Sequence, residues 1–473
     1  MFCKKQSGSK TYMDLYNIID SQPLIENSES IAQKFSEKHP GKSFENTAQY
    51  LLKLVTDSLV QIGTVKNEQF QQYFCLMRSQ VLFERSISEE GYKELKKAQQ
   101  LAAGLQDSLI QFYGYRQELK YLSGLGFPKM TEKELVEMQM KAKVNLRQLH
   151  QIQEHSSLFE QLRYRLIYSE RSLSMVKETQ FNDLLISELS LITRGSTFPF
   201  EMEKNHLLFQ SFFLIHTGKY KSSLESFKEL NKLFENNESI WNFPPYHYLH
   251  TLEGILDNLR SIKYFNQMDF FIKKIEKLLE PKYPEHFQTT AKQIIYIYQL
   301  NILINTNKFS NAITLSESIP DALIKNEKFI NYEKRVELLF HISLAFFEIE
   351  DFKNANKHMH IIKLLGKVKE NSSVYRASCL MHIIIHYELN DLSFLNYEIR
   401  SYKRNFKKTG ELLDLERIIF KIIKHDPKNK NNLKNLNLWN RIETNLLEIN
   451  KSNYQRQILK YYDFNSWLKK KLI

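Results

Sequence analysis

The chain has 473 residues, of which 42% are hydrophobic and 25% are charged, the balance of an ordinary folded soluble protein. It contains only 13 glycines and 10 prolines, which disfavours sheets with tight turns and favours long helices. The formal net charge of +12 is uneven, because residues 400–473 hold 18 Lys and Arg against 7 Asp and Glu and the remainder is nearly neutral.

The cysteine pattern and the lack of targeting signals indicate a cytoplasmic protein. Cys3, Cys75 and Cys379 are isolated, so the sequence predicts neither a disulfide framework nor a zinc knuckle. The first residues lack the apolar core and the cleavage site of a signal peptide. The most apolar run, residues 294–304, is too short to span a bilayer, so we expect no membrane association.

The N-terminal part is predicted to be a mobile tail at 1–12, followed by a helical region of degenerate helix pairs at 13–195. Pro40-Gly41 marks an early break between helices. Thr131, followed three residues later by Glu134, has the spacing of a capping box. Helical patterns follow at 132–149, 155–168 and 172–192, and the break around Gly195 is the predicted boundary between the two halves of the chain.

The stretch 204–234 carries the clearest helical pattern, and it opens the predicted repeat region at 196–399. Leu207, Leu208, Ser211, Leu214 and Ile215 recur as one stripe of a 3.6-residue helix. A turn interrupts the pattern, and a second apolar stripe follows at the same period over 224–234. The stretch therefore predicts two helices packed as a pair.

Five positions give this pair the pattern of a known repeat. A small residue lies in the first helix, Gly-x-aromatic lies at the turn, and a small residue and an aromatic follow: Ser211, Gly218, Tyr220, Ser223 and Phe227. The pattern resembles a divergent tetratricopeptide (TPR-like) helix-turn-helix unit, although the early Trp and the terminal Pro of that family are absent. Such a unit cannot bury its apolar stripes alone, so it should recur.

The turn signal does recur along the chain. After Tyr220 it returns at Tyr264, Phe309, Phe352 and Leu392, with steps of 44, 45, 43 and 40 residues. The predicted fold class is therefore all-α: a right-handed α-solenoid of TPR-like repeats with a period of about 43 residues.

Residues 400–473 are predicted to be basic C-terminal capping helices. A polar loop is expected at 425–437, with helices at 438–449 and 454–473 that close the array. The last helix carries Tyr461, Phe464, Trp467 and Leu468, as the exposed end of a repeat array requires.

The sequence predicts no enzyme, cofactor site or metal site. It contains no Gly-rich phosphate loop, no His-Glu-x-x-His helix and no nucleophile elbow. His382 and His386 have a metal-like i, i+4 spacing, but the repeat alignment interprets them as core histidines.

The resemblance implies a concave wall, formed by the first helix of each pair, that binds a protein or peptide. We therefore expect a non-enzymatic, protein- or peptide-binding scaffold. The predicted groove residues are Asn205, Phe212, His216, Arg260, Asn301, Asn305, Phe347, Glu348, Tyr387 and Glu388.

Two other functions remain open. The basic end, with Tyr402 and Phe406 interleaved, predicts a nucleic-acid-associated protein that binds the phosphate backbone, or else merely a solvated cap. A peptide-sensing regulator is the second alternative, supported by the break near Gly195. The predicted basic patch consists of Arg400, Lys403, Arg404, Lys407 and Lys408.

Overall fold

The computed structural model describes residues 11–21, 28–168, 179–192, 199–241, 244–325, 331–365, 372–407, 412–425, 432–449 and 457–473. Within these ranges the chain is all-helical and contains no β-strand, as predicted. The helices are α1 (Thr11–Asp20), α2 (Ser28–Lys38), α3 (Phe44–Lys66), α4 (Glu68–Glu84), α5 (Ser88–Gly104), α6 (Ser108–Gly124), α7 (Glu132–Tyr168), α8 (Thr179–Ile192), α9 (Phe200–His216), α10 (Tyr220–Glu235), α11 (Tyr246–Ser261), α12 (Met268–Lys277), α13 (Glu285–Asn305), α14 (Phe309–Ser318), α15 (Ala322–Lys325), α16 (Tyr332–Glu348), α17 (Phe352–Leu364), α18 (Ser373–Glu388), α19 (Leu392–Lys407), α20 (Asp414–His425), α21 (Asn432–Ile449) and α22 (Phe464–Leu472).

The chain forms two compact units, residues 1–150 and residues 151–473, and the division falls within α7. The sequence placed its boundary near Gly195 instead, and residues 193–198 lie outside the described part. In the first unit, Leu15, Phe35 and Leu51 form the core of α1–α3, and a separate cluster that includes Leu95 joins α4 to α6.

The second unit has one continuous apolar core, which runs from Phe159 on α7 to Leu472 on α22. Helices that follow one another in the chain pack against each other, as α9 does against α10, α10 against α11, and α16 against α17. This core positions the candidate site, because α11, α13, α16 and α18 all contribute buried side chains to it.

The helix pairs of the second unit share one kind of turn. A residue with positive φ ends the first helix, and the next backbone N–H donates to the carbonyl five residues earlier, which is a Schellman C-cap. Gly adopts this conformation with the least strain, so the first turn matches its sequence best. The positive-φ residues are Gly218, Lys263, Asn307, Glu350 and Asn390.

Several predicted helix boundaries can be compared with the structure, and the helix predicted at 454–473 is too long, because α22 begins at Phe464. The capping box is confirmed: Thr131 N donates to Glu134 Oε2 at 2.8 Å, and Glu134 N donates to Thr131 Oγ1 at 3.3 Å. The predicted break between 149 and 155 is wrong, because α7 is continuous and no Gly or Pro interrupts it there. The loop predicted at 425–437 is too long, because α21 begins at Asn432.

The α9–α10 crossing is built around two serines that are fully buried, and Ser223 Oγ donates to the carbonyl of Ser211 at 3.0 Å. Ser211→Leu is expected to overpack this crossing and to lower the free energy of unfolding by about 1–3 kcal/mol. Ser211→Ala should change it little, because Ser211 Oγ has no hydrogen-bond partner among the described residues. Urea denaturation of both variants measures the difference, with Ser222→Leu, at an exposed position of α10, as the control. Equal stability of Ser211→Leu and Ser222→Leu would refute this packing.

Gly254 on α11 lies directly against the ring of Phe227 on α10. A Cβ at position 254 would come within 2.4 Å of that ring, and Phe227 is only 1% exposed. We expect Gly254→Ala to lower the free energy of unfolding by about 1–3 kcal/mol, despite the better helix propensity of Ala. Thermal unfolding monitored by circular dichroism tests this prediction. Gly104→Ala is the matched control, because a Cβ there meets no atom within 4 Å and the change should be neutral or slightly stabilising. A similar response at both positions would contradict the prediction.

Candidate functional site

Residues 457–473, here called the C-terminal segment, lie against the first helices of the later pairs. Its helix α22 begins after Asp463, whose Oδ1 accepts a hydrogen bond from Ser466 N at 3.3 Å and so caps the N-terminus. Phe464, Trp467 and Leu468 follow at helical spacing and are at most 3% exposed. The segment therefore joins the core of the second unit.

Aromatic contacts place the C-terminal segment against α16 and α18. The ring of Tyr462 lies 6.1 Å from that of Phe347 on α16, edge to face. The ring of Trp467 lies 6.1 Å from that of Tyr387 on α18 in the same arrangement. Edge-to-face pairs at such distances add to the apolar burial.

The carboxylate of Glu388, at the end of α18, binds two side chains of the C-terminal segment. Trp467 Nε1 donates to Glu388 Oε1 at 2.8 Å, and Lys471 Nζ donates to Glu388 Oε2 at 2.8 Å. The side chain of Glu388 is only 5% exposed, so both hydrogen bonds are sheltered from water. More exposed ion pairs join Lys470 to Glu350 at 3.0 Å and Lys263 to Asp463 at 3.3 Å.

A buried charge network lies beneath the start of the segment. Arg260 on α11 donates to Glu337 Oε1 on α16 at 2.6 Å and also bonds Asp257. Its guanidinium stacks on the ring of Tyr461, 4.9 Å from the centroid. Lys460 pairs with Asp257 at 3.3 Å, so the segment adds both a cation and an aromatic ring to the network.

His341 on α16 stands beside this network in its neutral form. Its Nδ1 lies 2.8 Å from the carbonyl of Glu337 and its Nε2 lies 3.3 Å from Asn301 Nδ2. Nδ1 must therefore donate and Nε2 must accept. Burial lowers the pKa of His341 to about 4, against the opposite influence of Glu337, which agrees with that assignment.

Two cavities, of about 330 and 500 Å³, remain between the C-terminal segment and the helices. Both are the size of small ligand sites. Asn305 lines both of them, while Asn301 and Glu348 line the smaller one. Burial raises the pKa of Glu348, although a hydrogen bond with Tyr462 opposes the shift.

Seven of the ten predicted groove residues contact the C-terminal segment or line the cavities beside it. The other three lie on α9, which is not one of the helices that carry the seven. Asn205 Nδ2 donates to Ser156 Oγ on α7 at 2.8 Å, and Phe212 packs on Phe159 and Phe227. His216 is exposed. The seven residues are Arg260, Asn301, Asn305, Phe347, Glu348, Tyr387 and Glu388.

Only part of the predicted basic patch on α19 is exposed and could contact a phosphate backbone. Arg400 and Arg404 are exposed, whereas Lys403 Nζ lies over the Phe420 ring at 5.4 Å from its centroid. The side chain of Lys407 and all of Lys408 lie outside the described part. The aromatics expected between these cations are not available for stacking on bases, because Tyr402 is 3% and Phe406 is 2% exposed.

His382 and His386 are buried on α18, as interpreted from the sequence, with their Nε2 atoms 3.1 Å apart. Two carboxylates approach from the turn and the helix that follow α18. Asp391 Oδ2, in the turn, lies 3.4 Å from His386 Nδ1, and Glu398 Oε2, on α19, lies 3.8 Å from His382 Nδ1. Sequence reasoning expected no Asp or Glu within reach of these histidines, and that expectation is wrong. Burial lowers the pKa of His382 to about 4, although Glu398 opposes the shift.

A second cluster of potential ligands was missed by sequence reasoning. His155 on α7, Glu188 on α8 and His206 on α9 bring one ligand atom each within 4.8 Å of one another. Their separations of 33 and 18 residues match no short motif, so no local signal could have identified the cluster.

No protein-family model matches the chain, and no curated protein has a significantly similar sequence. Among the described residues, no helix is both long and apolar enough to cross a membrane.

Proposed function

We propose that this chain is a non-enzymatic scaffold that binds a protein or peptide along the face formed by α11, α13, α16 and α18. The observation that carries the proposal is the C-terminal segment itself. The face holds this stretch of chain through aromatic rings, ion pairs and the Glu388 carboxylate, which are the means by which grooves hold peptides. We define these helical faces as the groove.

We further propose that the helices form a right-handed, TPR-like solenoid with a period of about 43 residues. The shared positive-φ turns after α9, α11, α13, α16 and α18 support this architecture. So does the repeated small-residue crossing, since Ser343 Oγ donates to the carbonyl of Ala355 at 2.8 Å as Ser223 does to Ser211.

The chemistry of the groove indicates the kind of peptide it accepts. Glu348, Glu350 and Glu388 form an acidic edge, and Phe347 and Tyr387 lie beside it. We infer a ligand that combines aromatic anchors with lysines, spaced as along one face of a helix. The chain's own C-terminal segment would compete with such a ligand.

A fluorescent peptide with the sequence of residues 457–473 provides the test. It is titrated into the full chain and into a variant that carries Trp467→Phe and Lys471→Ala, which loses both hydrogen bonds to Glu388 and keeps an aromatic ring. Weakening the attached segment raises the fraction of open groove, so we expect the variant to bind the peptide about tenfold or more tightly than the wild type.

The matched controls alter the peptide and the groove. A peptide with the same two changes, and a chain in which Glu388→Gln is added to the variant, should both bind more weakly. If the variant binds a scrambled peptide as well as the native one, the groove assignment is wrong.

A nucleic-acid-associated protein remains the alternative. It now has less support, because Lys460, Lys470 and Lys471 pair with carboxylates and the interleaved aromatics are buried. It predicts binding to a DNA or RNA duplex that weakens steeply with salt and is lost in Arg400→Ala/Arg404→Ala. A peptide-sensing regulator, the other alternative, would use the same groove, and the proposed competition between ligand and C-terminal segment would be its switch.

A further inference from the structure

Three helices of the second unit aim one polar group each at a common point, away from the groove. Glu188 Oε1 on α8 lies 2.8 Å from His155 Nδ1 on α7 and 2.7 Å from His206 Nδ1 on α9. His155 and Glu188 are each 1% exposed, and the His206 side chain is 19% exposed. We refer to these three residues as the triad.

Hydrogen bonds alone leave the triad incompletely satisfied. His155 Nε2 and Glu188 Oε2 are both buried and have no hydrogen-bond partner among the described residues. A buried polar atom without a partner costs about 1–3 kcal/mol, so a native cluster that leaves Glu188 Oε2 free calls for an explanation. An ion that accepts the lone pairs of this oxygen is one explanation.

The composition of the triad also favours a cation. Its one acid, Glu188, has a side chain that is only 1% exposed, and a buried carboxylate needs a positively charged partner. Among the described residues, the ionisable groups that contact Glu188 are His155 and His206. A divalent cation would take one ligand atom from each of the three side chains.

The donor set is one that zinc uses. Two imidazole nitrogens and one carboxylate bind Zn²⁺ at about 2.0–2.2 Å in known sites, with a fourth position left for water. Ligand atoms around such an ion lie about 3.3 Å apart, and those of the triad already lie within 4.8 Å of one another. Small side-chain rotations therefore suffice to admit the ion, and His206, the most exposed member, lies on the side open to solvent.

The pair His382–His386 is the competing candidate in this unit. Its two Nε2 atoms face each other at 3.1 Å, but the nearest carboxylates approach the Nδ1 atoms on the other side of each ring. It therefore offers two ligand atoms toward a common point, whereas the triad offers three.

We propose that His155, Glu188 and His206 form a zinc site that ties α7, α8 and α9 together. The site is independent of the proposed peptide groove. It requires no covalent or redox step: both imidazoles bind through Nδ1 as the neutral tautomer that carries its proton on Nε2, and the carboxylate binds as the anion.

The test uses the full, untagged chain, so that no affinity tag contributes ligands. The protein is incubated with Zn²⁺, freed of excess by gel filtration in metal-free buffer, and its zinc content is measured by mass spectrometry. We expect about one zinc per chain in the wild type, and at least a tenfold loss of retained zinc in Glu188→Gln and in His206→Gln. His382→Gln, which removes an imidazole of the competing pair, should retain zinc like the wild type.

Thermal unfolding supplies a second readout that does not depend on retention during chromatography. Added Zn²⁺ should raise the Tm of the wild type and of His382→Gln by about 2–4 °C or more, and EDTA should reverse the shift. His206→Gln, whose position is partly exposed, should fold and show no shift. Wild-type protein without retained zinc and without a Tm shift would overturn the proposal, as would zinc that persists in both triad variants or disappears in His382→Gln.

Discussion

Arg260→Met is expected to lower the free energy of unfolding of residues 151–473 by about 3–5 kcal/mol, because it leaves a buried carboxylate uncompensated. The network holds three cations, Arg260, Lys334 and Lys460, against the carboxylates of Glu253, Asp257 and Glu337. The Arg260 side chain is 3% exposed, and its guanidinium also stacks on Tyr298 and Tyr461. Removing this one cation upsets the charge balance and both stacking contacts.

Tryptophan fluorescence measures the effect in the correct unit. All three tryptophans of the chain, Trp241, Trp439 and Trp467, lie in residues 151–473. The control is Lys325→Met, which breaks an ion pair of 2.5 Å whose side chains are 71% and 76% exposed. That change should alter the free energy of unfolding by no more than about 1 kcal/mol. Equal effects of the two substitutions would contradict the buried network.

A double variant separates charge imbalance from the loss of packing. Adding Glu337→Leu to Arg260→Met removes one anion along with the cation. The pairs Lys460–Asp257 and Lys334–Glu253 then remain, and each is balanced. We expect the double variant to be more stable than Arg260→Met alone, since replacing a complete buried pair by apolar side chains is often nearly neutral. A purely additive loss would argue against the charge argument.

The same network predicts a pH dependence. Burial raises the pKa of Glu337, but the charges of Lys334 and Arg260 outweigh it and hold that pKa well below its ordinary value. Lys460 and Arg260 likewise lower the pKa of Asp257 against its burial. Carboxyl groups with depressed folded-state pKa values stabilise the fold above about pH 4.5 and cease to do so as the pH falls further. The difference in the free energy of unfolding between wild type and Arg260→Met should therefore become smaller on acidification from about pH 6 to pH 3.

The all-helical architecture and the turns could be predicted because their signals are local. Gly218 and the aromatic residue after it mark a turn within a few residues, and apolar stripes at a period of 3.6 define the helices on either side. Ser211 and Ser223 belong to the same helix pair, and both are fully buried where α9 crosses α10, which requires small side chains. Physical effects confined to one helix pair leave a readable sequence pattern.

The binding of the C-terminal segment in the groove could not be predicted, because its contacts join residues that are far apart in sequence. Lys460 pairs with Asp257, some 200 residues away, and Trp467 bonds Glu388 across 79 residues. The sequence predicted the aromatic residues at the end of the chain as a cap on an array end. It gave no indication that Tyr461 would reach Arg260 on α11. Several helical faces of this chain carry similar apolar patterns, and only tertiary packing determines which of them the C-terminal segment covers.

Trp467→Ala is expected to lower the free energy of unfolding by about 3–5 kcal/mol, the cost of removing a large buried aromatic side chain. The indole is 3% exposed, packs edge to face on Tyr387 and donates to Glu388. Glu388 would lose the hydrogen bond from the indole and keep the one from Lys471. Urea denaturation followed by the fluorescence of Trp241 and Trp439 measures the loss.

Trp467→Phe separates packing from hydrogen bonding. It keeps an aromatic ring against Tyr387 and loses the donor to Glu388, so we expect a smaller cost of about 1–3 kcal/mol. Amide hydrogen exchange should show where the stability is lost: protection over α22 should fall in both variants, and more in Trp467→Ala, while α4–α6 stay unchanged. Wild-type protection of α22 in Trp467→Ala would mean that the C-terminal segment is not held at the groove by this side chain. A selective loss over α22 would instead show that the groove can open while its helices stay folded, as peptide binding at this face requires.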